Sequence, residues 1–130
     1  MLIKVSGDRA LCEAYGSINT RPQFNGAEYD ASSLATFLFK LVRVEGEWKI
    51  VSLECVYDKD NFVSVVGGGT PPQPLDIKFP RESYRCLGFI LNLLGGYDID
   101  LNLPGYDRPE EAAKFLQLSR EWVYQKHPNY

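Results

Sequence analysis

Apolar and polar positions are patterned most clearly in the first half of the chain. Residues 33–44 and 47–57 are dense in Val, Ile, Leu and aromatic side chains, and Glu45-Gly46 separates them. A two-residue connection of this kind, with a residue free to take positive φ, predicts a β-hairpin. Given that turn, Val44 faces Glu47 and a register follows. Arg43 opposes Trp48, Leu41 opposes Ile50, Phe39 opposes Ser52 and Phe37 opposes Glu54 on one face. On the other face Val42, Lys40 and Leu38 oppose Lys49, Val51 and Leu53. Both faces are apolar toward Leu38, so both call for a cover.

Weaker patterns fill in the rest. Residues 2–6 read as a strand end, Gly7-Asp8 as a turn and residues 10–18 as a second strand. Residues 19–31 hold Pro, Gly and the turn pair Asn25-Gly26, which predicts a connection. Asp58-Lys59-Asp60 reads as the end of the hairpin's second strand. The second half changes character. Gly67-Gly68-Gly69 followed by Pro71, Pro72 and Pro74 predicts a linker. A helix is expected over residues 81–94, between Pro80 and Gly95-Gly96. In the last helix Asp107 stands as the cap, Pro109 in the first turn and Glu110 at the capping-box position. Ala112, Phe115, Leu116, Ser119, Trp122 and Val123 form one stripe at helical spacing. The chain divides into a sheet over 1–66, a linker over 67–79 and a helical tail over 80–130 packing on the same domain. The expected class is α+β, an antiparallel sheet packed with helices, with two C-terminal helices.

Composition narrows the function classes. The chain has 130 residues, 45% hydrophobic and 24% charged, which suits one domain. A net charge of −3 and no Lys/Arg cluster argue against nucleic acid and against an anionic membrane surface. No stretch approaches the roughly 20 apolar residues of a membrane helix, and the start does not resemble a signal peptide. Cys12, Cys55 and Cys86 are odd in number and lack metal or redox spacing, so they read as thiols of a reducing, cytoplasmic setting.

Candidate chemistry is sparse. On the hairpin register Glu54 shares a face with Phe37, Phe39, Ile50 and Val56, where a desolvated carboxyl would suit proton transfer. Glu13 and Tyr15 share a strand face, as a carboxylate beside a hydroxyl able to polarise a carbonyl. Arg43 beside Trp48 reads as a cation–π contact, or as an anion site at a pocket mouth. Phe37, Phe39, Arg43, Trp48 and Ile50 are the expected ligand-binding residues. His127, the single histidine, sits at a helix end. Asp58 and Asp60 read as a turn and not as metal ligands, and Gly67 to Gly69 does not continue as a phosphate loop. No metal and no cofactor are expected.

Certain strings are more specific. Gly7-Asp8-Arg9-Ala10, the hairpin of residues 39–53 with its Val-Glu-Gly-Glu-Trp-Lys-Ile core, and the Val-Tyr-Asp-Lys-Asp that follows resemble SnoaL-like domains. These domains belong to the nuclear transport factor 2-like superfamily. The tail, with Pro80-Arg-Glu-Ser-Tyr-Arg and residues 100–110, is similar to an extension in one branch. The resemblance implies a cone-shaped, half-barrel α+β fold whose curved sheet encloses an apolar pocket. It also implies an outer face that often pairs with a second subunit. Members include cofactor-free cyclases, dehydratases and isomerases, as well as non-catalytic domains. The family's N-terminal half and its pocket histidine have no counterpart here, so no catalytic residue carries over. Three readings stay open. One is a cofactor-independent lyase or isomerase on a small carbonyl or aromatic compound, using Glu54 or Glu13 as base and Tyr15 as donor. The second is a non-catalytic binding domain or homodimer, and the third a shortened, inactive relative.

Overall fold

The computed structural model describes residues 1–24, 26–65 and 77–126. The expected linker residues 67–76, Asn25 of the Asn25-Gly26 turn and His127 lie outside the described residues. The elements are β1 (Leu2–Ser6), β2 (Arg9–Thr20), β3 (Gln23–Phe24), β4 (Ala27–Val44) and β5 (Glu47–Ser64). They are followed by a 3₁₀ turn (Glu82–Tyr84), α1 (Arg85–Gly95) and α2 (Pro109–Trp122). The strands form one antiparallel arrangement in the order β1-β2-β4-β5, with short β3 also paired to β4. The chain is therefore α+β, an antiparallel sheet with helices on it. Among the described residues no helix is long and apolar enough to cross a membrane.

The hairpin turn forms as its residues dictate. Glu45 and Gly46 have φ of 53° and 79°, the paired positive values of the tight turn that matches strand twist. From there Arg43 pairs with Trp48, Val42 with Lys49 and Leu41 with Ile50. The expected register fails one step later. Val51 is bulged out, so Lys40 meets Ser52, Phe39 meets Leu53, Leu38 meets Glu54 and Phe37 meets Cys55. An inserted residue shifts every later pair by one and moves each β5 side chain to the opposite face. A second bulge at Asp58 precedes Lys59, which pairs with Leu34. Asp58-Lys59-Asp60 does not end the strand, because β5 continues to Ser64. The expected connection over 19–31 is also largely strand: β2 runs to Thr20 and β4 begins at Ala27.

Along β4 the buried residues change face at mid-strand. Ala27, Tyr29, Ala31, Ser33 and Ala35 are buried in its first half, and Leu38 and Val42 in its second. The pairing of β4 with β2 has no shift, so odd and even positions lie on opposite faces throughout. Among the described residues each face is thus covered at one end. On the even face, α2 lays Ala112 and Val123 on Leu11, Leu38 and Val56, with Phe115, Leu116 and Trp122 around them. The expected helical stripe is the buried one. On the odd face, α1 and the 3₁₀ turn cover the far end, with Tyr84 fully buried against Tyr57 and Phe79. Between the two helices the chain passes round the free edge of β5. The Tyr57 N–H donates to the Pro104 carbonyl (3.0 Å) and the Tyr106 N–H to the Tyr57 carbonyl (2.8 Å). These bonds occupy an edge that would otherwise be open to another strand.

Arg81 fastens that crossing. It is 2% exposed; its Nε and Nη2 donate to the two carboxylate oxygens of Asp107 at 2.8 and 2.7 Å. Its Nη1 reaches Tyr84 and the carbonyls of Leu101 and Leu103. Asp107 is therefore not the cap of α2, and the expected capping box is absent. Arg108 holds the cap position without a side-chain bond. A buried guanidinium outcompetes a helix amide for the carboxylate, because the charge-assisted bidentate pair is the stronger contact.

Candidate functional site

Glu13, Tyr15 and Glu54 all lie on the even face, which α2 covers. Glu13 and Glu54 flank Leu38 in one cross-strand row. Because of the Val51 bulge, Glu54 is on the opposite face from Phe37, Phe39 and Ile50, and the expected carboxyl-on-aromatics arrangement does not form. Each polar group has a partner. Arg120 Nε and Nη2 donate to the two oxygens of Glu13 at 2.7 and 3.1 Å, and this bond holds the carboxyl below its ordinary range. Glu54 accepts from Lys40 Nζ at 3.1 Å and from the Ser52 hydroxyl at 3.0 Å. The Tyr15 hydroxyl donates to Asp58, which raises its pKa, and Tyr106 bonds Thr36 beside it at 2.7 Å. Its ion pair makes the Glu13 carboxylate a weaker base, and the Tyr15 phenol already donates its proton to a carboxylate. Arg9 Nη1 donates to the Trp122 carbonyl at 2.7 Å, and its guanidinium stacks on that indole, fixing the end of α2.

The expected ligand-binding residues lie on the odd face, near the hairpin. Phe37, Phe39 and Leu41 of β4 have Ala14, Cys12 and Ala10 on one side, and Cys55, Leu53 and Ile50 on the other. Ile3 and Val5 of β1 extend the row beyond Cys12 and Ala10. Ile3, Val5, Ile50 and Leu53 are 59%, 59%, 61% and 55% exposed. Neither described helix covers this half. Arg43 closes the patch, stacked over Trp48 at 5.3 Å and ion-paired to Asp8 at 2.9 Å.

A third place is a cleft of about 110 Å³ between α1 and the sheet. Ile18, Ala31, Leu87 and Ile90 supply its apolar walls, and Ser33 and Asp60 line it as well. Asp60 accepts from the Cys86 and Leu87 amides at 3.0 and 2.8 Å. It thereby caps a helix that has no side-chain cap of its own. The Ser33 hydroxyl is buried and has no hydrogen-bond partner among the described residues. Burial raises the Cys86 thiol to about 11, so it is no nucleophile at neutral pH.

Ser33, Asp60 and Arg81 were not among the expected site residues. Their traces in the sequence are slight. Ala31, Ser33 and Ala35 alternate as small residues, which is what a floor close beneath a helix requires. The cap position of α1 is Tyr84, which has no side-chain cap bond, so the cap comes from elsewhere.

No family model matches the chain. Two curated proteins are similar to it. Pea pathogenicity protein 2 of Fusarium vanettenii is 26% identical over 128 residues, covering 93% of this chain and 55% of that protein. Uncharacterized protein AN9274 of Emericella nidulans is 26% identical over 133 residues, covering 93% of this chain and 56% of that protein. The chain thus spans about half the length of the curated relatives it matches.

Proposed function

We propose that this chain is a SnoaL-like domain of the cone type that works by binding and not by proton transfer. We further propose that it assembles as a homodimer through the uncovered half of its odd sheet face. The observation that carries this is the open apolar patch of Phe37, Phe39, Leu41, Ile50 and Leu53, extended by Ile3 and Val5. Four strands at about 4.8 Å spacing and some seven residues of length give a footprint on the order of 450 Å². A contiguous apolar patch of that size matches the largest patch of a typical monomer, which is often functional. A small molecule would gain little there, because tight binding needs most of the ligand's surface enclosed. A second sheet face fits better: pleated rows of aromatic and branched side chains interdigitate about 10 Å apart. Proton transfer is left out because Glu13, Glu54 and Tyr15 are each held by a partner on the α2 side.

Sedimentation equilibrium tests the reading. The wild-type chain is expected to be a dimer at micromolar concentration. The double variant Ile50→Glu/Leu53→Glu is expected to be a monomer that still unfolds cooperatively, since both side chains are exposed in one copy. A wild-type monomer at high concentration with a cooperative melt would sink the proposal.

A further inference from the structure

The cleft beneath α1 is separate from the docking face and contains one of three buried side chains, with Arg9 and Tyr29, that have an unpartnered polar atom among the described residues. Ser33 is 5% exposed, lines the cleft, and its hydroxyl bonds nothing among the described residues. Buried hydroxyls ordinarily have a partner, and one without, at the wall of a cleft, calls for an explanation. Asp60 lies directly across the strand pair from Ser33 on the same face. Its two oxygens hold the first amides of α1 and keep lone pairs to spare. Ile18, Ala31, Leu87 and Ile90 supply apolar walls, and Thr20, Ser32, Asn61 and Cys86 also line the cleft. A volume of about 110 Å³ approaches that of an apolar cavity able to hold a benzene ring, ~150 Å³.

We infer that this cleft binds a small neutral alcohol or phenol, with the ring or short chain against the α1 side chains and the hydroxyl between Ser33 and Asp60. The polar pair selects the ligand. A hydroxyl accepts from Ser33 and donates to Asp60 at once. A ketone can only accept, and it turns its oxygen toward a carboxylate. A carboxylic acid, ionised at neutral pH, is repelled by Asp60 outright.

The test uses the whole chain, with phenol, cyclohexanone and benzoate as probes, followed by amide chemical-shift titration. Phenol is expected to bind with shifts confined to α1 and the facing β2, β4 and β5 residues. Cyclohexanone is expected to bind roughly tenfold more weakly, and benzoate not at all. Ser33→Ala is expected to weaken phenol binding by roughly tenfold, the loss of one hydrogen bond to an otherwise buried group. Ala31→Leu, which fills the cleft, is expected to abolish binding. Both variants should keep the wild-type oligomeric state, and Ile50→Glu/Leu53→Glu should keep phenol binding. Failure of the cleft and failure of the docking face are therefore read apart. Absence of phenol shifts in the folded wild-type chain would overturn the inference. So would equal phenol affinity in Ser33→Ala, or a preference for benzoate.

Discussion

Ser33 and Arg81 are both buried polar residues, and their surroundings are opposite. The Ser33 hydroxyl has no partner among the described residues, whereas every guanidinium nitrogen of Arg81 has one. In the ligand-free chain Ser33→Ala is expected to stabilise by about 1 kcal/mol, since it removes a buried group that lost water and gained no bond. Thermal unfolding checks this, with a rise of roughly 4 °C expected for a domain of this size. A lower Tm would mean that the hydroxyl is bonded in solution. Asp107→Ala is expected to cost ~3–5 kcal/mol, because it leaves the Arg81 charge buried and unpaired. The Arg81 bonds hold Asp107 ionised well below its ordinary value of 3.8. Its contribution is complete above that ordinary value and is lost as pH falls below it, because the unfolded chain then takes up the proton first. Urea midpoints between pH 6 and pH 3 should drop more for wild type than for Asp107→Asn. Gly105 belongs to the same site: a Cβ there would lie 2.6 Å from Asp107 Oδ1.

Among the elements, the two helices begin differently. α2 carries Pro109 in its first turn and Glu110 and Glu111 beside it, features of its own sequence that suit a helix start. α1 is capped by a strand residue 26 positions earlier, Asp60. Asp60→Ala is expected to cost ~1–2 kcal/mol, from the lost cap and the lost charge at the positive end of the helix. Hydrogen exchange locates the effect: the Cys86 and Leu87 amides should lose protection while α2 keeps its own. An equal loss in both helices would mean that Asp60 acts through the whole sheet. The hairpin shows the same contrast. Its turn and first pairs follow from Glu45-Gly46, while the Val51 bulge that redirects Glu54 has no marker in a run of good strand formers.

For the whole molecule, the arrangement of cover decides what is exposed. α1 and α2 sit on opposite faces at opposite ends of the sheet, and the chain between them wraps the β5 edge. Among the described residues nothing covers the hairpin half of the odd face. If a second copy covers it, dilution below the dimer dissociation constant should raise the fluorescence of an apolar dye. Ile50→Glu/Leu53→Glu should bind the dye weakly at every concentration. Strong dye binding at high wild-type concentration would mean that the face stays open.

The sequence by itself determined what depends on neighbours a few residues apart. The strand pattern, the Glu45-Gly46 turn, the Gly95-Gly96 stop and the apolar stripe of α2 all rest on local dihedral preferences and on periods of 2 and 3.6. The tertiary structure alone decided what depends on competition between distant groups. Arg81 drew Asp107 away from the helix cap, Asp60 supplied a cap to α1, and a single bulged residue placed Glu54 on the opposite face from the aromatics. Contacts between residues far apart in the chain set those outcomes, and the strength of a contact depends on burial that no local pattern records.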